Sequence, residues 1–292
     1  PVGVTFNPVH KTANFVNLQQ CGSVWLCPVC SEKIARKKQE QIKNLLVVMQ
    51  KHGIKAHMLT LTAPHHATDD LKDLLSKLGK AKKHLFGDRK SIKFWDEHMP
   101  SIGHITSTEV KYSDQNGWHP HFHILMFFDH EINTQGLQSF LALHWVDACI
   151  KAKLKAPSLE HGVDVQKGDK AQDYVAKWGL EHEMTKGHTK KGKKNGLTPF
   201  DLLRQSVDNP KYRALFKQFA DVFKGQRQLY WSDGLKVLLS VANLTDEELA
   251  QETEKESIEI QEVATQIWRL ILRYKFRGQY LRACELDYLD GG

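Results

Sequence analysis

The chain has 292 residues, of which 41% are hydrophobic, so it can bury a substantial core and is not disordered as a whole. Lysine and arginine number 41 against 34 aspartates and glutamates, which gives a formal net charge of +7 at pH 7. The sequence shows neither a run of 18 apolar residues nor a secretory leader pattern, so it predicts a cytoplasmic protein without a membrane span.

The charge is divided unevenly along the chain. Residues 245–292 hold 11 acidic and six basic residues, so the remaining 244 residues carry an excess of 12 positive charges. A basic body favours a polyanionic partner, because lysine and arginine release the counterions that are condensed on phosphates. A basic protein without such a partner is the alternative.

The first half of the chain predicts a loop, a helix, a strand and a second helix. Residues 1–30 are predicted to be loop-like, and a helix is predicted from Ser31, its candidate N-cap, because apolar residues then recur at helical spacing up to Met49. Residues 55–64 alternate in polarity and end at Pro64, as a strand does. Leucines at helical spacing predict the second helix over residues 69–86.

The next segments predict a hairpin and more helices. Strands over residues 102–112 and 121–128, joined by the polar turn SDQNG, predict an antiparallel pair. Helices are predicted over residues 134–152 and 169–183, a basic loop or hairpin over 186–196, and one final helix over 263–289. This order indicates an α+β fold with helices packed on an antiparallel sheet.

Three of the five cysteines lie close together in sequence, at Cys21, Cys27 and Cys30. This spacing on a tight turn is typical of a structural zinc site, but it is one ligand short of four. His10, or a residue upstream of the given sequence, is the candidate fourth ligand. The alternative is three buried free cysteines, which is also how Cys149 and Cys284 are interpreted.

The segment WHPHFHIL places His119, His121 and His123 on one face of a strand, since side chains on a strand alternate with a period of two. Pro120 interrupts the first step, so His121 and His123 form the safer pair. The alternative is that all three are solvated or core histidines.

Glu109 is the predicted third ligand, because antiparallel pairing brings the preceding strand beside the histidines. His119 competes for that position, and an exposed strand carboxylate is the alternative for Glu109. Two imidazoles and a carboxylate leave open positions for a phosphate oxygen, which suits Mg²⁺, Mn²⁺ or Zn²⁺ as a Lewis acid.

The segment AQDYVAKWGLEHE predicts a helix with Tyr174, Lys177 and Trp178 on one face. A free phenol titrates near ~10, so nucleophilic attack at neutral pH needs a neighbouring positive charge or base, which Lys177 would supply unless it clamps the phosphate instead. A core tyrosine on an amphipathic helix is the alternative.

Five lysines fall within nine residues after this helix: Lys186, Lys190, Lys191, Lys193 and Lys194. With Trp178 they are the candidate DNA-binding residues, and a solvated basic loop is the alternative.

Together these residues resemble the rolling-circle replication initiators (Rep proteins) of small bacterial plasmids, within the HUH endonuclease superfamily. MLTLTAP (58–64) resembles the first family motif, WHPHFH (118–123) the histidine motif and YVAKW (174–178) the tyrosine motif, in the family's order. The stretches CGSVWLCPVCSEKIARKKQE and KGQRQLYWSDGLK are also similar to members of this plasmid group. The resemblance covers about residues 20–236.

The resemblance implies a five-stranded antiparallel sheet flanked by helices (an HUH or ferredoxin-like palm), with Mg²⁺ or Mn²⁺ on a central strand and the tyrosine on a neighbouring helix. Tyr174 would attack single-stranded or cruciform origin DNA, leaving a 5′-phosphotyrosine and a 3′-OH. Three regions are expected: a cysteine-rich, zinc-knuckle-like segment (1–40), the catalytic domain (41–236) and a helical acidic C-terminal region (237–292).

The sequence departs from some relatives in two places. Trp178 stands where some have a second tyrosine, and Lys170 stands where others have a water-activating glutamate. Termination would then use another residue or a second subunit of a homodimer. Glu181 and Glu183 are candidate bases for water, and carboxylates on the helix surface are the favoured alternative for both.

The expected partners are origin DNA and the host helicase and polymerase, with no membrane. The alternatives are an HUH transposase of the same chemistry, a non-catalytic zinc-stabilised DNA-binding regulator, and a metal hydrolase of small phosphates.

Overall fold

The computed structural model describes residues 2–8, 11–18, 21–167, 196–238 and 257–291. They fall into two compact units, Pro1–Lys37 with Leu244–Gly292, and Lys38–Asn243. In chain order the elements are β1 (Val2–Asn7), β2 (Thr12–Val16), α1 (Pro28–Lys51), β3 (Lys55–Thr62), α2 (Leu71–Gly87), α3 (Arg89–His98), β4 (Gly103–Ser113), β5 (Gly117–Phe128), α4 (Thr134–Lys151), β6 (Val163–Lys167), α5 (Pro199–Gln205), α6 (Pro210–Phe223), β7 (Leu229–Trp231), α7 (Leu235–Leu238), β8 (Ile258–Val263), α8 (Thr265–Arg273) and α9 (Arg277–Leu289).

The first unit joins the two ends of the chain in a three-stranded antiparallel sheet of order β2-β1-β8. Val4, Phe6 and Phe15 point from this sheet into a core that includes Ile271 of α8 and Cys284 of α9. The prediction of a loop over residues 1–30 is therefore wrong, because β1 and β2 are short strands stabilised partly by β8, which lies far away in the sequence.

The predicted single helix over residues 263–289 is also wrong. Val263 ends β8, and α8 and α9 are separated at Lys275, which has a positive φ of 59°. A left-handed residue cannot continue a right-handed helix, so the chain turns there. Helix α1 likewise differs from its prediction: it begins at Pro28, and the N–H of Ser31 donates to the Cys27 carbonyl (2.8 Å), so Ser31 lies inside the helix.

The second unit contains a five-stranded sheet of order β6-β3-β5-β4-β7, in which every neighbouring pair is antiparallel. This confirms the α+β class and the five-stranded antiparallel sheet flanked by helices. Strands β4 and β5 form the predicted hairpin, with Ser113 opposite Gly117. Gly117 has a φ of 72°, and an added Cβ would lie 2.6 Å from the Ala67 carbonyl oxygen, so the position requires glycine.

Strand β5, the second strand of the hairpin, begins at Gly117, four residues before the predicted start at residue 121, and it runs through Pro120. The pairing of β5 with β3 ends at Thr62 opposite His121, whereas the pairing with β4 continues to Gly117. Pro120 therefore lies beyond the last residue pair with β3, where its missing N–H removes no ladder hydrogen bond on that side.

The two faces of this sheet carry different layers. Helices α2 and α4 cover one face, which includes Phe122 and Ile124, and Trp145 of α4 donates its indole N–H to the Thr62 carbonyl (2.7 Å). On the other face, Leu125 and Phe127 pack against the second half of α1. Beyond that core, the same face is polar and carries the histidines of β5.

In the part of the chain that the structure describes, no helix is both long and apolar enough to cross a membrane.

Candidate metal centre

Glu109 on β4 and His121 and His123 on β5 form a compact cluster. One ligand atom of each lies within 4.8 Å of the others. Glu109 is directly opposite His121 in the antiparallel register, and His123 follows two residues later on the same face. The three residues are 3%, 8% and 7% exposed. The structure thus brings together the two histidines and the carboxylate that the sequence singled out.

Both imidazoles contact the same carboxylate oxygen. Oε2 of Glu109 lies 2.5 Å from Nε2 of His121 and 2.8 Å from Nε2 of His123. Burial alone would raise the pKa of Glu109, but the hydrogen bonds with His121 and His123 and the nearby Lys111 lower it overall. Burial also lowers the pKa of His121, although Glu109 opposes this shift. A carboxylate and a neutral imidazole are the protonation states that bind divalent metal ions.

Two further residues support the cluster from neighbouring positions. Thr60 of β3 lies opposite His123, with its Oγ1 3.2 Å from Nδ1 of that ring, so it fixes the orientation of the imidazole. Lys111 of β4 places its ammonium group 2.9 Å from Oε1 of Glu109. Neither residue was predicted from the sequence, although each shares the face of a ligand on a paired strand.

His119 lies on the same face but makes a different contact. Its Nδ1 is 2.6 Å from Nε2 of His65, and its ring centroid is 5.5 Å from that of His121. Burial lowers the pKa of His119 to about 4, and the charges of His121, His65 and Lys111 add to the shift. The geometry places Glu109, rather than His119, with the histidine pair. His65 was not predicted from the sequence, although it directly follows the TLTAP segment.

The donor set fits a divalent metal ion. Two imidazole nitrogens and a carboxylate oxygen converge on one point, and a site with three protein ligands leaves positions for a phosphate oxygen or water. Nε2 of His121 is the nitrogen that faces the cluster, whereas its Nδ1 is buried and has no hydrogen-bond partner among the described residues.

The three clustered cysteines form a second candidate site, in the first unit. The sulfur atoms of Cys21, Cys27 and Cys30 lie within 4.8 Å of one another, and Cys21 and Cys30 are 3.9 Å apart. Burial raises the pKa of Cys27, but hydrogen bonds with Cys30 and Val29 lower it overall. Burial raises the pKa of Cys30 to about 11.

The remaining cysteines lie apart from this cluster. Cys149 and Cys284 are buried, as expected for core residues, and burial raises the pKa of Cys149 to about 12. His10, the candidate fourth ligand of the cysteine cluster, lies outside the described residues.

The other predicted site residues also lie outside the described residues, within 168–195. They are the nucleophile and its neighbours, the candidate water-activating residues and the basic segment: Tyr174, Lys177, Trp178, Lys170, Glu181, Glu183, Lys186, Lys190, Lys191, Lys193 and Lys194.

An antiparallel sheet with a buried Glu-His-His cluster defines the chain as an α+β protein with a candidate metal centre. A family model described as "Replication protein" matches residues 14–281. The chain therefore belongs to this family of replication proteins, which confirms the resemblance to Rep proteins.

Three curated relatives match parts of the chain, and two of them carry the name "Protein rep". The "Protein rep" of Streptomyces lividans is 27% identical over 256 residues, covering 68% of this chain and 55% of that protein. The "Neomycin resistance protein" of Streptomyces cyanogenus is 29% identical over 134 residues, covering 38% and 31%. The "Protein rep" of Lentilactobacillus hilgardii is 29% identical over 104 residues, covering 35% and 31%.

The chain spans about half, or less, of the length of these curated relatives. No solved structure matches it significantly.

Proposed function

We propose that the chain initiates rolling-circle replication of a plasmid, as an endonuclease and strand transferase with an HUH palm. It would nick and rejoin single-stranded or cruciform origin DNA through a 5′-phosphotyrosine. The observation that carries this proposal is the Glu109, His121 and His123 cluster in a chain of the replication-protein family. A metal centre on a basic body suits phosphodiester chemistry, because the substrate is a polyanion.

Glu109, His121 and His123 would hold Mg²⁺ or Mn²⁺. The bound ion supplies Lewis-acid polarisation of the scissile phosphate. Thr60 keeps the His123 ring oriented through its 3.2 Å contact with Nδ1. Lys111, which is partly exposed and contacts Glu109, adds positive charge next to the cluster.

Tyr174 would be the nucleophile, on the strength of the YVAKW motif. Its phenolate oxygen attacks phosphorus, a tyrosine O–P bond forms and the P–O3′ bond breaks. The departing 3′ oxygen takes up a proton and becomes the 3′-OH that a host polymerase extends, after a host helicase has opened the duplex. Lys177, three residues along the same predicted helix, would stabilise the phenolate.

Rejoining is the reverse of this step. A later 3′-OH attacks the phosphotyrosine, the O–P bond to Tyr174 breaks and the phosphodiester forms again. One phosphoester replaces another in each direction, so no nucleotide cofactor is required. The cysteine cluster would bind Zn²⁺ and stabilise the first unit.

The test is formation of a covalent adduct. The protein is incubated with labelled single-stranded oligonucleotides that tile the origin region, in Mn²⁺, and adducts are resolved by denaturing electrophoresis. We expect an adduct that disappears with Tyr174→Phe, with His121→Ala and with chelator. Tyr274→Phe is the matched control, since Tyr274 is an exposed tyrosine of the first unit. Tight DNA binding without any adduct would instead indicate a non-catalytic regulator.

A further inference from the structure

A half-buried lysine lies at the β7 edge of the sheet, on the face covered by α2 and α4. The ammonium nitrogen of Lys82, on α2, is 4.9 Å from the ring centroid of Phe122 and 5.3 Å from that of Tyr230. Phe122 lies between His121 and His123 along β5, and side chains on a strand alternate. The lysine is therefore on the opposite face from the metal centre.

Lys82 has no carboxylate partner among the described residues. Lys77 on the same helix pairs with Asp73 at 2.7 Å, and Lys55 pairs with Glu131 at 3.1 Å. Burial lowers the pKa of Lys82, and a cation held away from water without a counter-ion is costly unless an anion approaches it. The aromatic rings offset part of this cost through cation–π contact.

His104, whose pKa responds to the charge of Lys82, does not supply that anion. Burial and the charge of Lys82 lower the pKa of His104 to about 4, so this imidazole is neutral at physiological pH. Its ring stacks on Phe86 at 5.5 Å and lies 6.3 Å from the ring of Tyr230. The neighbours of Lys82 that the structure describes are therefore aromatic and, at physiological pH, uncharged.

The site is open to a ligand. Tyr230 is 45% exposed. Gly79 lies one turn before Lys82 on the same side of α2, and a Cβ added there would meet nothing within 4 Å. Tyr230 belongs to the segment KGQRQLYWSDGLK, to which the proposed metal and tyrosine chemistry assigns no role.

We propose that Lys82 and Tyr230 form a second binding site for single-stranded DNA, on the face of the sheet opposite the metal centre. A phosphate pairs with the Lys82 ammonium group, and the adjacent base stacks on the exposed ring of Tyr230. A cation beside an accessible aromatic ring is the combination that binds single strands without sequence preference, because every base has a flat face. In duplex DNA the paired bases are stacked on each other, so this site favours an unpaired strand.

The first test is binding of a fluorescein-labelled oligothymidylate, measured by anisotropy in buffer without added Mg²⁺ or Mn²⁺. Tyr230→Leu should weaken binding by about 5- to 150-fold, the range expected for the loss of one base-stacking contact. Tyr230→Phe should bind like the wild type. Lys82→Met should make the negative slope of log affinity against log salt shallower by about 0.7, which corresponds to the loss of one phosphate contact. Lys82→Arg should keep the wild-type slope.

The second test locates the contact directly. Oligonucleotides that contain 5-iodouracil are irradiated with the wild-type protein, and the crosslinked peptides are identified by mass spectrometry. We expect a crosslink in the peptide that contains Tyr230. The second site is overturned if this crosslink is absent. It is also overturned if Tyr230→Leu and Lys82→Met bind DNA with unchanged affinity while thermal melting shows that both variants are folded.

These outcomes are separable from the proposed nicking. Binding of the oligothymidylate is measured without the divalent ion on which the adduct depends, so each measurement reports on one proposal. A Tyr230 crosslink without any adduct contradicts the nicking mechanism alone, and an adduct without the crosslink contradicts the second site alone.

Discussion

Glu109 and His121 face each other across the β4–β5 hairpin, and Oε2 of the carboxylate lies 2.5 Å from Nε2 of the imidazole. The backbone register of two paired strands sets this contact, and the next inward-facing position of β5 supplies His123. Since the ligands lie on rigid strands rather than on loops, little ordering is needed when a metal ion binds.

Glu109→Gln tests this cluster as the metal centre. The substitution keeps the size of the side chain but removes its charge, so Mn²⁺ affinity should fall by at least about 10-fold, and adduct formation with DNA should be lost. Isothermal titration with Mn²⁺ measures the first effect. Glu131→Gln is the control, because Glu131 is an exposed carboxylate that pairs with Lys55 and Lys167. Unchanged Mn²⁺ affinity in Glu109→Gln would place the metal elsewhere.

Lys111→Met should have the opposite effect on metal binding. The Lys111 ammonium group is 2.9 Å from Oε1 of Glu109, so it competes electrostatically with a divalent cation for the carboxylate. Because Lys111 is partly exposed, solvent weakens this competition, and we expect Mn²⁺ to bind about 3- to 5-fold more tightly in the variant. Lys111→Arg keeps the charge and should leave affinity near the wild-type value. Weaker Mn²⁺ binding in Lys111→Met would show that the lysine orders the carboxylate instead of competing for it.

The metal cluster was predictable because its signals are local. Two-residue spacing places His121 and His123 on one face, and the Asn116-Gly117 turn fixes which strand lies beside them, so Glu109 follows from the hairpin. His65 was not predictable in the same way. Its contact with His119 depends on the path of the chain after β3, which no periodicity encodes.

The first unit was least predictable because its contacts are distant in sequence. Strand β1 pairs with β8, and the N–H of Ala13 donates to the Glu285 carboxylate (2.9 Å), a contact across 272 positions. Short strands with few apolar residues give a weak pattern by themselves. The break between α8 and α9 at Lys275 is marked by neither glycine nor proline, so the amphipathic pattern of 263–289 predicted one helix.

The cysteine cluster should bind zinc through Cys27. Cys27→Ala should lower the zinc content of purified protein from about one ion per chain towards zero, and it should lower the melting temperature, because a structural zinc ion stabilises only the folded state. Inductively coupled plasma mass spectrometry after dialysis measures the metal. Cys149→Ala is the control, since Cys149 is a buried core cysteine apart from the cluster and should leave the zinc content unchanged. Equal zinc in Cys27→Ala and the wild type would contradict the assignment, and His10→Ala tests the fourth ligand.

His104 should make folding stability depend on pH. Its pKa is lowered from 6.5 to about 4 by burial and by the charge of Lys82, so the folded state prefers the neutral imidazole. The unfolded chain takes up the proton more readily, and the stabilisation present above pH 6.5 is lost as the pH falls towards 4. Between pH 7.5 and 5 this loss is about 1–2 kcal/mol, somewhat less than the full shift implies because His104 is not completely buried.

The variant His104→Phe isolates this contribution. It keeps an aromatic ring against Phe86 and Tyr230 but cannot titrate, so its free energy of unfolding in urea should fall less between pH 7.5 and 5 than that of the wild type. The other histidines titrate in both proteins and cancel in the comparison.

His104→Phe also removes the repulsion between a protonated His104 and Lys82, the cation that we expect to bind DNA phosphate. Wild-type His104 is still mostly neutral at pH 5, one pH unit above its pKa. DNA affinities measured by anisotropy at pH 5 should therefore differ less between the two proteins than their stabilities do. An identical pH dependence of unfolding in His104→Phe and the wild type would show that His104 is solvated. In that case His104 would carry a charge beside Lys82 at mildly acidic pH.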